Sequence, residues 1–189
     1  MKDYIPPFII TNTMLDCISN IMENIGKMDY YKNLNRMPIL RKNNRIESIH
    51  SSLAIEANSL SLEQVSDVIN GKLVRGPKYE IDEVKNAYKA CEMMEEVDPF
   101  NLDDLKKIHG VMMNSLIDDA GSYRRGKEGV FDGEKCIFMA PGPEMVYQLM
   151  QGLFLWLQNN QNNIHPLILS SVFHYEFVFI HPFSDGNGR

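Results

Sequence analysis

The chain has 189 residues, enough for one domain with a real core, and its 44% hydrophobic and 23% charged content is an ordinary globular balance. A net charge of −6 speaks against a nucleic-acid binder, which needs a basic face. Cys17, Cys91 and Cys136 stand far apart in no paired spacing, which argues against a disulfide framework or zinc site; with no signal-peptide pattern and no apolar run of membrane-spanning length, the expected location is cytoplasmic.

Residues 1–10 read as an extended lead-in, because Pro6-Pro7 does not belong inside a helix. From Thr11 or Thr13, the residues Met14, Leu15, Ile18, Ile21, Met22 and Ile25 recur at helical spacing, and Gly26 marks the expected end. A second helix is expected after Pro38, with Ile46, Ile49, Leu53 and Ala57 on one face and a stop at Asn58. Ser61-Leu62-Glu63-Gln64 has capping-box spacing and opens a third, running to Asn70 before Gly71. After Gly76-Pro77, the residues Ile81, Val84, Tyr88, Cys91 and Met94 mark a fourth, which Asp98-Pro99 breaks. Asn101 caps a fifth, with Leu102, Leu105, Ile108, Met112 and Leu116 facing inward. Asp132-Gly133, between Gly129-Val130-Phe131 and Cys136-Ile137-Phe138, predicts a short hairpin. Pro143 suits the first turn of a sixth helix, with Val146, Leu149, Met150, Leu153, Trp156 and Leu157 inward. Pro166 opens a seventh, and the apolar run Leu167 to Ile180 is too continuous for a solvent-exposed element. Together these define a single all-α domain over 1–189 with a small β-hairpin and no internal repeat.

The last nine residues, His181-Pro182-Phe183-Ser184-Asp185-Gly186-Asn187-Gly188-Arg189, gather the chemistry. Glycines let successive backbone N–H groups form an anion-binding concavity. Arginine offers a fork of donors matched to phosphate oxygens, and aspartate can hold a divalent metal that also touches phosphates. Histidine is the side chain best suited to accept a proton near neutral pH. Asp-Gly and Asn-Gly are equally ordinary turn dipeptides, so spacing alone leaves a phosphate site and a plain turn as equal readings.

This stretch resembles the signature of the Fic family, H-x-F-x-[D/E]-G-N-G-R, matched at every specified position from His181 to Arg189. The likeness reaches back through the helix after His165-Pro166 to Gly121-Ser122-Tyr123-Arg124 and the hairpin, roughly Leu102 to Arg189. It implies a Fic-like helical domain whose hairpin is a flap, and an enzyme transferring AMP from ATP to a Ser, Thr or Tyr hydroxyl of a target protein or of itself. On that resemblance His181 is the general base, an effect typically worth about 10²–10⁴ in rate. Asp185 would hold Mg²⁺; Gly186, Asn187 and Gly188 would cradle the α-phosphate through backbone N–H groups and the Asn amide; Arg189 would pair with the triphosphate. The target would dock along the flap, about residues 129–139, by strand pairing. Lys in place of Gly188 marks a branch that phosphorylates translation factors, so Gly188 favours nucleotidyl transfer; pyrimidine nucleotides and phosphocholine stay open as donors.

Upstream, Ser51 to Asn58 resembles the family's inhibitory helix, [S/T]-x-x-x-E-[G/N], with Ser52 and Glu56 on its Ser and Glu and Ala57 in place of Gly or Asn. The resemblance implies a self-inhibited form in which Glu56 restrains transfer and can also support AMP removal. The family signature continues beyond Arg189 with a second Arg on a further helix, so the resemblance implies a longer natural protein, truncated here after the catalytic loop. Apolar surface left at that point would favour a homo-oligomer. A non-catalytic interaction module, such as half of a toxin–antitoxin pair, is the alternative reading. Of the remaining candidates, His174 reads as a core histidine, His165 as a helix cap, His109 as packing, and Arg124 and Arg125 as braces of the flap; His50 has no assigned role.

Overall fold

The structure, a computed structural model, describes residues 4–31, 38–133 and 135–188. Among these, seven helices and one hairpin follow in chain order: α1 (Asn12–Tyr31), α2 (Pro38–Ile55), α3 (Leu62–Ile69), α4 (Lys78–Met93), α5 (Leu102–Met112), β1 (Gly129–Asp132), β2 (Lys135–Met139), α6 (Pro143–Asn160) and α7 (Pro166–Ile180). Local chemistry sets most of the helix starts. Ser61 accepts from the Gln64 N–H while the Gln64 side chain accepts from the Ser61 N–H, a complete capping box on α3. Asn101 caps α5 by accepting from the Asp103 N–H, and His165 caps α7 through Nδ1. Prolines in the first turns of α6 and α7 occupy positions whose N–H has no helical partner to lose. The hairpin is antiparallel, with Asp132 opposite Lys135 and an irregularity between Val130 and Phe131.

Two apolar clusters carry the fold. One joins α2, α3 and α4 through Ile46, Ile49, Leu53, Val65, Val68 and Val84. The other joins α6 and α7 through Val146, Met150, Leu153, Trp156, Val172 and Ile180. Helix α5 lies between them, packed on α4 at one side and on α6 at the other. The N-terminal lead-in joins the second cluster: Phe8 meets the edge of Trp156 with ring centroids 6.0 Å apart, and the Tyr4 hydroxyl donates to the buried carboxylate of Glu176. Burial first, then the hydrogen bond and charge of Glu176, push the Tyr4 phenol above its ordinary pKa.

Four expectations change. Helix α1 passes through Gly26 to Tyr31, because an interior glycine costs about 1 kcal/mol relative to alanine but does not itself stop a helix. Its apolar stripe is largely exposed, Ile18 being the member packed on the core. On α5 the buried position is His109, followed by the C-cap Met113, with the expected inward residues only half-buried around them. Helix α7 has a solvent face, with His174, Tyr175, Val178 and Phe179 exposed. Each residue turns a helix by about 100°, so an unbroken apolar run can be wholly buried only with neighbours on every side. Here α6 covers one side, and His174 is a surface residue rather than a core histidine.

The three cysteines are free, Cys17 and Cys136 being exposed. Among the described residues no helix is long and apolar enough to cross a membrane. Since Trp156 is the single tryptophan, Phe8→Ala should shift its fluorescence emission to the red and lower unfolding free energy by about 1–2 kcal/mol, from a lost aromatic pair and its buried area; an unchanged spectrum and urea midpoint would show that the lead-in does not dock.

Candidate active site

The loop starts where α7 ends. Ile180 is fully buried, so the residues after it emerge from a rigid point. His181 is the C-cap of α7 in the left-handed region, φ 50 and ψ 62, with its N–H donating to the Phe177 carbonyl at 2.9 Å. A side chain with a Cβ held there costs about 1–2 kcal/mol, and persists only where the surroundings over-determine it.

Arg124 is part of those surroundings. Its guanidinium donates through Nε to the His181 carbonyl (2.6 Å) and through Nη2 to the Ile180 carbonyl (3.3 Å). Further bonds run from Nη1 to the Gly126 carbonyl (2.7 Å) and from Nη2 to the Pro141 carbonyl (2.5 Å), on the two stems of the hairpin. Its own N–H donates to the Pro182 carbonyl at 2.9 Å. Only 2% exposed, it has its pKa drawn down by burial, against the pull of Glu128 and Glu144; a guanidinium stays charged regardless. Its position at the carbonyl end of α7 matches the negative end of the helix dipole.

Phe183 anchors the loop. It is 1% exposed, lies flat on the His109 ring with centroids 3.6 Å apart, and has Tyr123 and Phe177 beside it. Asn187 clamps this anchor from the other end, accepting from the Phe183 N–H (3.0 Å) and donating to the Phe183 carbonyl (2.8 Å). One N–H of this amide is thus engaged in holding the loop closed, and the NH2 group carries a second.

His109 completes the support. The Gly121 N–H donates to Nδ1 at 2.9 Å, so the ring proton is on Nε2, which donates to the Asp185 carbonyl at 3.0 Å. The ring is 3% exposed. Gly186 follows with φ +77, and a Cβ there would lie 2.8 Å from Met113 Sδ, so both conformation and space demand glycine. Asp185 is half-buried, its Oδ1 accepting from the Gly186 N–H at 2.6 Å. Among the described residues no group of three or more His, Cys, Asp or Glu could hold a metal ion, and Asp185 offers a single carboxylate.

Opposite the loop, α2 ends in a Schellman motif: the Asn58 N–H donates to the Leu53 carbonyl (3.0 Å) and the Ala57 N–H to the Ala54 carbonyl (3.2 Å). Glu56 is thus the C-cap, and Ala57, at φ 68, takes the left-handed position usually given to glycine or asparagine. That is why Ala57 leaves the apolar face of α2 on which sequence spacing put it. The Asn58 amide fastens this end to α4 by donating to Glu83 Oε2 (2.7 Å) and the Glu80 carbonyl (3.2 Å). The Glu56 carboxylate lies against Gly188, where a Cβ would collide with Oε1. Ser52, one turn earlier, faces a cavity of about 290 Å³ between α2, α4 and α5.

The structure therefore brings Glu56 against Gly188, in the loop that carries His181, Asp185, Gly186 and Asn187; Ser52 faces the cavity between α2, α4 and α5, and Arg189 lies outside the described residues. His109 and Arg124, which spacing assigned to packing and to the flap, both bind the loop's backbone. The arrangement is an imidazole at a helix end, followed by a tight turn through Gly186.

Residues 99–189 match the Fic/DOC family. The protein adenylyltransferase Fic of Culex quinquefasciatus is 32% identical over 154 residues, covering 76% of this chain and 30% of that protein. The protein adenylyltransferase fic-1 of Caenorhabditis elegans is 27% identical over 190 residues, covering 95% of this chain and 36% of that protein. A crystal structure of a Fic family protein from Desulfovibrio desulfuricans G20 aligns with a TM-score of 0.90 at 48% identity, over 98% of this chain and 57% of that one. Residues 99–189 thus form a Fic/DOC domain, and the chain spans about a third of the length of the curated relatives it matches.

Two consequences are measurable. Ala57→Gly should raise unfolding free energy by about 1 kcal/mol, by relieving the left-handed strain at the end of α2, as read by urea denaturation. His109→Ala, which strands the Gly121 N–H and the Asp185 carbonyl, should lower it by about 2–4 kcal/mol in the same assay. A change below 1 kcal/mol for His109→Ala would mean that the loop does not depend on this ring.

Proposed function

We propose that this chain is the catalytic domain of a protein adenylyltransferase that moves AMP from ATP to a hydroxyl side chain of a target protein or of itself. The supporting observation is the seating of the loop, with His181 at the end of α7 and Gly186 held at φ +77 against Met113. The hydroxyl oxygen attacks the α-phosphorus while His181 takes its proton; the bond to the β-phosphate breaks and pyrophosphate leaves. The main-chain N–H groups of Gly186, Asn187 and Gly188 and the Asn187 amide would donate to the α-phosphate oxygens as negative charge grows there, the Gly186 N–H on leaving Asp185 Oδ1. Asp185 would hold Mg²⁺, which when bound neutralises charge on the phosphates. Arg189 pairs with the triphosphate.

Glu56 is the brake in this reading. A carboxylate against Gly188 sets negative charge beside an anion cradle, so the triphosphate must bind against it or in an unproductive pose. Ser52, on the preceding turn, belongs to the same inhibitory element. The target docks along the hairpin, 129–139, whose β2 side chains Ile137 and Met139 are exposed at a strand edge. Glu56-assisted AMP removal, a homo-oligomeric state and a cytoplasmic location complete the proposal.

The test is incubation with α-labelled ATP and Mg²⁺, scoring label transferred to protein. Glu56→Gly should raise the label, and Glu56→Gly/His181→Ala should abolish it, by a factor of about 10²–10⁴ for loss of the base. Absence of label with nucleotide binding intact would point to another donor; absence of both would leave an interaction module.

A further inference from the structure

We infer that Arg124 is a positioning residue for the reaction: it holds His181 in its left-handed conformation and so sets the aim of the imidazole. The inference rests on the proposed role of His181 as proton acceptor, and goes beyond it in assigning what keeps that residue in place.

The geometry is specific. Arg124 meets the main chain at three successive residues, with guanidinium bonds to the carbonyls of Ile180 and His181 and a backbone bond to the carbonyl of Pro182. These bracket the one residue of the loop, among the described residues, that has both a Cβ and a positive φ. A rotation of the peptide after His181 out of the left-handed region would swing its carbonyl off Nε. The 2.6 Å bond and the strained dihedral are therefore two sides of one constraint. The remaining bonds, to Gly126 and Pro141, seat the same guanidinium on both stems of the hairpin. The side chain is thus immobilised from outside the loop before it acts on the loop.

A merely space-filling Arg would not spend donors on four separate carbonyls, and lysine cannot imitate it. An ammonium is a point donor, whereas the planar fork reaches several acceptors from one fixed plane. Arg124 touches neither of the groups proposed to react, so it positions rather than catalyses.

The chain has five histidines, His50, His109, His165, His174 and His181, few enough to resolve by the ¹³C–¹H correlation of their imidazole rings. Arg124→Lys keeps the charge, and Arg124→Gln removes it so that no unpaired charge is buried. In each, the His181 signal should shift or split while those of His50, His165 and His174 stay in place. In the transfer assay kcat should fall by about a hundredfold with KM for ATP nearly unchanged, as expected for a misaimed base. A stationary His181 signal in both variants would overturn the inference, as would a moved signal with undiminished kcat. Loss of a cooperative thermal transition in both would overturn it too, because Arg124 would then be a residue of the fold alone. If the unaltered chain transfers no AMP, the histidine signals still decide the case for Arg124, and the failure belongs to the proposed reaction.

Discussion

Phe183 is the residue on which the loop depends. It follows the buried Pro182, and it is sunk to 1% exposure between His109, Tyr123 and Phe177. Removing such a ring from water contributes roughly 1.5–3 kcal/mol, enough to tether a short loop to the core. Once Phe183 is seated, Asn187 can close on its backbone, and the intervening Asp185-Gly186 must turn tightly. The turn at Asp185-Gly186 is thus a by-product of an apolar anchor.

Helix α5 turns that anchor into a site. It lies between the two apolar clusters and presents His109 and Met113 to the loop, the first as a hydrogen-bonding platform and the second as a wall against Gly186. Arg124 works from the opposite side on the carbonyls around His181. One buried histidine and one buried arginine therefore satisfy backbone groups that a loop of this length cannot satisfy alone.

What could be read from the sequence follows the range of the forces involved. The caps at Ser61 and Asn101 and the prolines opening α6 and α7 act within one turn, and they appear where the residues announce them. The end of α2 is less legible, because alanine at a left-handed position contradicts its own propensity; the Schellman bonds and the Asn58 anchor to α4 impose it. The exposed face of α7 depends on which helices happen to cover it. The roles of His109 and Arg124 depend on partners 76 and 57 residues away, Asp185 and His181, so spacing shows only an inward histidine and a basic residue before a hairpin.

The end of α2 belongs to one apolar cluster and the loop to the neighbourhood of the other, yet Glu56 and Gly188 touch. In the proposed brake, the carboxylate is accordingly an intramolecular ligand whose effective concentration is set by how α4 and α5 hold the two clusters together. Dilution cannot release it, and raising ATP competes against a local concentration rather than a bulk one. A binding event that pries the clusters apart by even a small angle would lower that concentration without touching the loop. The restraint would then be regulated by geometry at a distance, with the chemistry of the site left intact.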